Sequence, residues 1–158
     1  MIPSKKIATP LFLLILFMMN HPVFGEKLSI DEVKLILHTS KSFNHQDLSN
    51  LDLSRMNMVG VSFYATNLSG ANLSEANLSG ADFRKAKLVG ANMNGAKLNG
   101  AIMTDANLTG ITAIGANFNG VDFSSSNLSG ANLTRAYLKK IKLTGVTLGG
   151  VILKDATY

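Results

Sequence analysis

Apolar residues recur at every fifth position through most of this chain. Leucine, phenylalanine or methionine stands at each fifth position from Leu48 to Leu153, except at Ala113. We call these residues the centres. A second apolar residue, most often alanine, stands two positions before most centres, and the other three positions are mainly small, polar or charged.

This period fits neither a helix nor a flat strand. A helix would spread the centres around its circumference, and a strand would turn successive centres to opposite faces because five is odd. A chain that bends after each short extended piece keeps every centre on the inside. We therefore predict a solenoid in which each five-residue unit forms one side of a coil, with coils stacked about 4.8 Å apart.

The identities of the centres predict four sides per coil. At intervals of twenty residues, Leu48 begins a column that contains only leucine, and Phe43 begins a column that contains four of the five phenylalanines after residue 25. Leu73 and Leu78 are centres of the other two columns. The predicted core consists of Phe43, Leu48, Phe63, Leu68, Leu73, Leu78, Phe83, Leu88, Leu108, Phe123 and Leu128.

Glycine marks the predicted corners. It recurs every ten residues from Gly60 to Gly130, two positions after a centre. Glycine accepts the positive φ that a type II turn requires. The alternate corners carry other residues, such as Arg55 and Ala65, so we expect them to turn differently. Lys140 occupies a glycine position, and we expect irregular turns after Gly130.

The stretch ANLSEANLSGADF, residues 71–83, resembles the pentapeptide-repeat family. The resemblance covers about Leu48 to Tyr158. It implies an all-β fold, a right-handed, four-sided parallel β-helix of about 5.5 coils, since the 22 centres divide among four sides. We expect a signal peptide at 1–25, an N-terminal helical cap at 26–46 and the pentapeptide-repeat β-helix at 47–158.

The first residues are typical of a secretory signal peptide. Lys5 and Lys6 precede an apolar run at 11–19, and Pro22 and Gly25 mark a break after it. An uncleaved membrane anchor is the alternative, but the run is shorter than the roughly 20 residues of a membrane span. We therefore expect an exported bacterial protein, periplasmic or secreted. The chain has no cysteine, which excludes disulfides and thiol chemistry.

The two ends of the predicted coil differ. Ser29 and Glu32 form a capping-box pattern, and Ile30–His38 is predicted as a short helix over the first coil. Leu28 is placed to form a hydrophobic staple with this helix. The C-terminal end has no such cover. An end-to-end homodimer through the C-terminal coil, as some relatives form, would bury it. The alternative is a monomer in which Tyr158 folds over the opening.

The repeats offer no arrangement for catalysis. His38 and His45 precede the first complete predicted coil, and we interpret them as solvated capping residues rather than metal ligands. The coil region after them contains no histidine, and its glycines do not form a phosphate-binding loop. We expect no catalytic residue, no cofactor and no metal, and we predict that the protein is not an enzyme.

Two groups of basic residues occupy outward positions of the repeat that elsewhere are mainly small and polar. The formal net charge of the chain is +5. These groups are either a solvated rim or a contact for an anionic partner, such as acidic lipid, an envelope polymer or an acidic protein face. With two outward apolar residues, the candidate contacts are Arg84, Lys85, Lys87, Arg135, Tyr137, Lys139, Lys140, Lys142, Ile152 and Lys154.

These observations favour a non-enzymatic interaction or scaffold protein of the cell envelope that presents a rigid surface to a protein or an anionic partner. Acidic members of the resembled family mimic DNA and protect gyrase. This chain is basic and is expected to be exported, so that alternative is disfavoured and no nucleic acid is expected. A β-helix that binds or cleaves carbohydrate is a second alternative, but no insertion interrupts the repeat to form a groove.

Overall fold

The computed structural model describes residues 27–158. The predicted signal peptide, residues 1–25, lies outside this range. None of the helices in the described part of the chain has the length and apolar character needed to cross a membrane.

Residues 42–158 form a four-sided coil. Each five-residue unit makes one parallel β-bridge with the residue twenty positions later, from Ser42 with Ser62 to Tyr137 with Thr157. A constant offset of twenty means that four units complete one turn, as the columns predicted. Within residues 27–158 each side is a single bridge and not an extended strand, because the chain bends again after two or three residues.

We name the four sides by their first bridged residue in the repeat. They are the Ser42, Asp47, Asp52 and Asn57 sides, and the units stack six deep on each of them. Reciprocal backbone hydrogen bonds join the coils. For example, the Leu88 N–H donates to the Asn107 carbonyl over 2.7 Å, and the Asn107 N–H donates to the Ala86 carbonyl over 2.9 Å.

The centres point inward and form one continuous core. All eleven residues of the predicted core are at most 1% exposed. Phe63 stacks between Phe43 and Phe83, with ring centroids 5.5 and 4.8 Å apart. Thr66 takes one of the alanine positions, and its hydroxyl is satisfied because Oγ1 donates to the Phe43 carbonyl over 2.6 Å. Each coil therefore buries the same face against the coils above and below it.

The prediction of two kinds of corner was wrong. Arg55 and Lys85 have φ of 60° and 59°, close to the 65° and 66° of Gly60 and Gly80. All corners of the repeat thus place a residue with positive φ two positions after the centre. A Cβ at Gly80 would meet no other atom within 4 Å, so the corner has space for a side chain. Non-glycine residues can therefore occupy it, at the conformational cost of positive φ.

The expected irregular turns after Gly130 are also absent. Lys140 has φ of 58°, and the bridges continue with unchanged offset to Thr157. The repeat is regular to its last coil.

Helix α1, Ile30–Thr39, precedes the first full coil. Ser29 caps it, since the Ser29 N–H donates to Glu32 Oε2 over 2.8 Å and the Glu32 N–H donates to Ser29 Oγ over 3.4 Å. Val33 and Ile36 are 0% and 4% exposed and belong to the same buried cluster as the first coil. The apolar stripe of the helix thus lies over the N-terminal opening of the core.

Leu28 belongs to the β-helix, although it precedes α1. Lys27 pairs in parallel with Asp47, and the Leu28 N–H donates to the Asp47 carbonyl over 2.9 Å. Leu28 is therefore the inner residue twenty positions before Leu48, rather than only a hydrophobic staple. The first full coil begins at Ser42, five residues before the predicted boundary.

Candidate functional site

The last coil leaves its centres uncovered. Leu143, Leu148 and Leu153 are 44%, 46% and 41% exposed, whereas Leu48 and Leu53 of the first coil are 0% exposed. The difference arises because an interior centre is covered by the coils on both sides of it, and no residue of the described range 27–158 lies beyond the last coil. Tyr158 is 72% exposed beside them. We call Leu143, Leu148, Leu153 and Tyr158 the open end.

An apolar hollow lies within the open end. Its floor is formed by core residues of the preceding coil, and its wall by the open end with Ile141 and Val151. The only polar group among its lining side chains is the hydroxyl of Tyr158. The hollow lies at the end of the rod rather than along a side. A partner that filled it would continue the core by contact with leucine side chains.

The backbone at the open end offers hydrogen-bond donors. In the interior of the rod, the N–H of each centre donates to a carbonyl of the next coil, as Leu128 does to Thr147 over 2.8 Å. Within the described residues, the N–H groups of Leu143, Leu148 and Leu153 make no such bond. These donors face out of the rod, because the next coil would lie there.

Five cations lie beside the open end, on one part of its edge. We call them the basic rim: Arg135, Lys139, Lys140, Lys142 and Lys154. They lie at the two corners that flank the Asn57 side and at the start of the adjoining Ser42 side. Arg135 and Lys154 lie at the same corner in consecutive coils, since the Arg135 N–H donates to the Lys154 carbonyl over 2.8 Å.

One member of the rim is paired across coils. Lys142 Nζ lies 3.2 Å from Asp122 Oδ2, and this is the only ion pair that the rim makes with residues 27–158. Hydrogen bonds from Ser124, followed by the contact with Lys142, hold the pKa of Asp122 below its usual range. Asp122 therefore stays ionised at neutral pH and offsets one rim charge.

The net charge of the described chain resides at this end. Residues 135–158 contain five basic residues and one acidic residue, Asp155, a net charge of +4. Residues 27–134 contain eight basic and eight acidic residues, which balance. The described part of the chain is therefore a nearly neutral rod with one positive end.

The other predicted basic group, Arg84, Lys85 and Lys87, is partly neutralised by an acidic residue. Arg84 makes a bidentate pair with Asp82, over 2.9 Å from Nε and 2.7 Å from the second nitrogen. The hydrogen bond from the Arg84 side chain lowers the pKa of Asp82. Arg84 and Lys85 each lie 5.8 Å from the centre of the Tyr64 ring. Among the described residues, Lys85 and Lys87 form no ion pair.

The partner contacts that were predicted from the sequence lie in two separate places on the rod. Tyr137 and Ile152 are 48% and 49% exposed and lie on the last coils beside the rim. Arg84, Lys85 and Lys87 lie about 2.5 coils away and form a separate patch. Leu143, Leu148 and Leu153 were not among the predicted contacts, although an uncovered C-terminal end was expected from the sequence.

Residues 27–158 offer groups for binding a partner at the open end. Within residues 27–158 no group of three or more histidine, cysteine, aspartate or glutamate side chains could hold a metal ion. His38 is exposed, and His45 packs edge-on against Tyr64 with centroids 5.4 Å apart. The open end instead combines apolar side chains, backbone donors and cations, which can bind a partner without reacting with it.

The chain belongs to the pentapeptide repeat family. The model of pentapeptide repeats matches eight copies, over residues 42–74, 66–105 and 101–139. The described bridges at an offset of twenty agree with the right-handed quadrilateral β-helix of this family. Its members are generally structural or interaction proteins.

Solved structures of pentapeptide repeat proteins are similar to this chain. One from the cyanobacterium Cyanothece 51142 is 25% identical, with a TM-score of 0.64, over 82% of this chain and 99% of that one. One from the thylakoid lumen of Arabidopsis thaliana is 33% identical, with a TM-score of 0.57, over 63% and 66%. One from Nostoc Pcc 7120 is 25% identical, with a TM-score of 0.51, over 77% and 96%. No curated protein matches the chain.

Proposed function

We propose that this protein is a non-enzymatic interaction module that binds its partner through the open end and the basic rim. The observation that carries the proposal is the contrast between the two ends. The centres Leu48 and Leu53 of the first coil are 0% exposed, whereas Leu143, Leu148 and Leu153 of the last coil are 41–46% exposed. In this proposal α1 closes the N-terminal end, so the rod has one end available for contact.

The charge distribution supports an anionic partner. The +4 net charge of residues 135–158 lies beside the exposed leucines, while the rest of the described chain is balanced. Charge concentrated at one end orients an approaching anion toward that end and raises the rate of association, an effect that salt weakens. The apolar hollow then supplies contact area that does not depend on salt.

Export places this surface outside the cytoplasm. The pattern of Lys5, Lys6 and the apolar run at 11–19 supports a periplasmic or secreted location. The partner is then a protein or an anionic component of the cell envelope. A homodimer through the C-terminal coil is a competing use of the same end.

The charge pattern does not favour the DNA-mimic alternative. A DNA mimic presents negative charge along its length, and residues 27–134 of this rod carry equal numbers of both signs. The carbohydrate alternative would need a groove. The five-residue spacing runs without an inserted loop from Ser42 to Thr157, so the sides of the rod offer flat faces.

Site-specific photo-crosslinking in the cell tests the proposal. A photoreactive amino acid at Leu148 is compared with one at Val59, because the two residues are 46% and 45% exposed and lie at opposite ends of the rod. We expect adducts with protein or lipid at position 148 and few at position 59. Equal adducts at both positions, or none at 148, would contradict a binding role for the open end.

A further inference from the structure

We infer that the partner of the open end is the surface of an anionic lipid bilayer, on which the rod stands with its C-terminal coil inward. This inference rests on the proposed function and names the partner of the same site. It is drawn from the order of chemical groups at this end, from the apolar centre to the charged edge.

The open end has the composition of an interfacial membrane-binding surface. The leucines at the centre, exposed by 41–46%, supply apolar area for the boundary between headgroups and acyl chains. The basic rim lies outside them, where lysine and arginine attract anionic headgroups. Tyr137 and Tyr158 are 48% and 72% exposed, and tyrosine is enriched at the interface between membrane and water.

The backbone edge also fits this surface. The outward N–H groups of Leu143, Leu148 and Leu153 find no acceptor among residues 27–158. Buried against a purely apolar partner, they would lose their hydrogen bonds to water, which is costly. At a bilayer surface, water and the oxygen atoms of lipid phosphates can accept these bonds.

A second copy of the chain is a poorer occupant by charge. In an end-to-end dimer the two +4 ends would meet, and like charges that face each other across an interface are strongly unfavourable. An anionic bilayer turns the same rim into an attractive contact.

A single fluorescent label can test this inference in the full chain. The sequence contains no cysteine, so Leu148→Cys creates a unique attachment site for an environment-sensitive nitrobenzoxadiazole dye. Val59→Cys is the matched control, because its exposure is similar and it lies near the covered end. The label reports the position of the open end, so binding through the N-terminal apolar run does not by itself give a signal. Vesicles contain either phosphatidylcholine alone or phosphatidylcholine with 30 mol % phosphatidylglycerol.

We expect a blue shift of the label at position 148 with anionic vesicles, and none at position 59. Replacing Lys139, Lys140 and Lys154 with glutamine should weaken the apparent partitioning about five-fold for each lysine, or roughly a hundred-fold together. High salt should also weaken the partitioning, because it screens the attraction between the basic rim and the anionic lipid.

Three outcomes would overturn the inference. They are an absent shift at position 148, an equal shift at both positions, and a shift that ignores both the lysine substitutions and the lipid charge. A blue shift that rises with protein concentration without vesicles would indicate a second copy instead. If the label fails to respond while crosslinking at 148 still captures a protein, the lipid assignment fails and the open end remains an interaction surface.

Discussion

The first and last coils of this β-helix use the same repeat, but they meet different surroundings. Leu48 and Leu148 belong to one column, at opposite ends of the rod. Leu48 is 0% exposed between the next coil and the N-terminal cover, whereas Leu148 is 46% exposed. That cover consists of Leu28, the preceding residue of the column, with Val33 and Ile36 of α1 in the same buried cluster. No described element takes the same place at the C-terminal end.

The comparison shows that an inward position in a solenoid does not by itself ensure burial. Each unit needs a neighbour on both sides, and the last unit must find its neighbour elsewhere or remain exposed. An exposed edge of unpaired backbone and leucine is also an aggregation hazard, which natural proteins often limit with lysine. In the proposed function the basic rim serves two purposes, since like charge repels other copies and the same charge attracts an anionic partner.

The largest expected effect comes from truncating a leucine in the middle of the column. Leu88→Ala removes a 0% exposed side chain between two coils and should destabilise the fold by about 2–5 kcal/mol. Leu148→Ala, in the same column, should cost clearly less because Leu148 is already half exposed. Urea unfolding followed by circular dichroism measures both. Equal losses would mean that the last coil is covered in solution.

A second, smaller effect should come from loosening the cover. Ile36 is 4% exposed in α1, and Ile36→Ala should cost about 2 kcal/mol, at the lower limit for an isoleucine truncation. The N-terminal coil should then bind more of a hydrophobic dye. Lys34→Ala on the exposed face of the helix is the control, since its side chain is 63% exposed. If Ile36→Ala leaves both stability and dye binding unchanged, the helix does not cover the core.

Much of the fold could be predicted from the sequence, because identical units must stack on one another. The columns at an interval of twenty placed Phe43, Phe63 and Phe83 over each other, and their rings stack. The corners were harder to predict. Arg55 and Lys85 have no sequence feature that indicates positive φ, and the stacked backbone imposes it on them. The place of Leu28 in the core column was not predicted, because α1 interrupts the five-residue period between Leu28 and Phe43.

The candidate site was less predictable, because charge depends on local geometry. Spacing placed Arg84 and Lys85 in one basic patch, but the pair between Arg84 and Asp82 depends on the rotamers of two side chains. The rim is different. Its cations are concentrated in the last 24 residues, so sequence alone placed them at one end. An uncovered C-terminal end was expected from the sequence, and the structure shows which side chains it exposes, Leu148 among them.

A third prediction concerns acid and the middle of the rod. The hydrogen bond from Arg84 lowers the pKa of Asp82 in the folded protein. The resulting stabilisation is fully present above the ordinary aspartate pKa of about 3.9 and is lost as pH falls through the lowered value. Asp82→Asn should therefore lose less stability than the parent between pH 7 and pH 3. Urea unfolding midpoints measured across this pH range give the loss of stability, and Asp31→Asn serves as an exposed control. An identical pH dependence in Asp82→Asn and the parent would show that the pair does not contribute.

The smallest effect tests whether the backbone is the same at both ends. Ala65 and Lys140 occupy corners with φ of 54° and 58°, one in each half of the rod. Glycine relieves the cost of positive φ, about 1 kcal/mol or more, but it raises the entropy of the unfolded chain by about 0.4–1 kcal/mol. Ala65→Gly and Lys140→Gly should each give a net stabilisation of about 0.5 kcal/mol. Chemical denaturation with replicate midpoints can show whether each substitution stabilises or destabilises the fold. If Lys140→Gly destabilises while Ala65→Gly stabilises, the last corners differ from the first. The ends would then differ in backbone as well as in cover, and the open end would be less rigid than the interior coils.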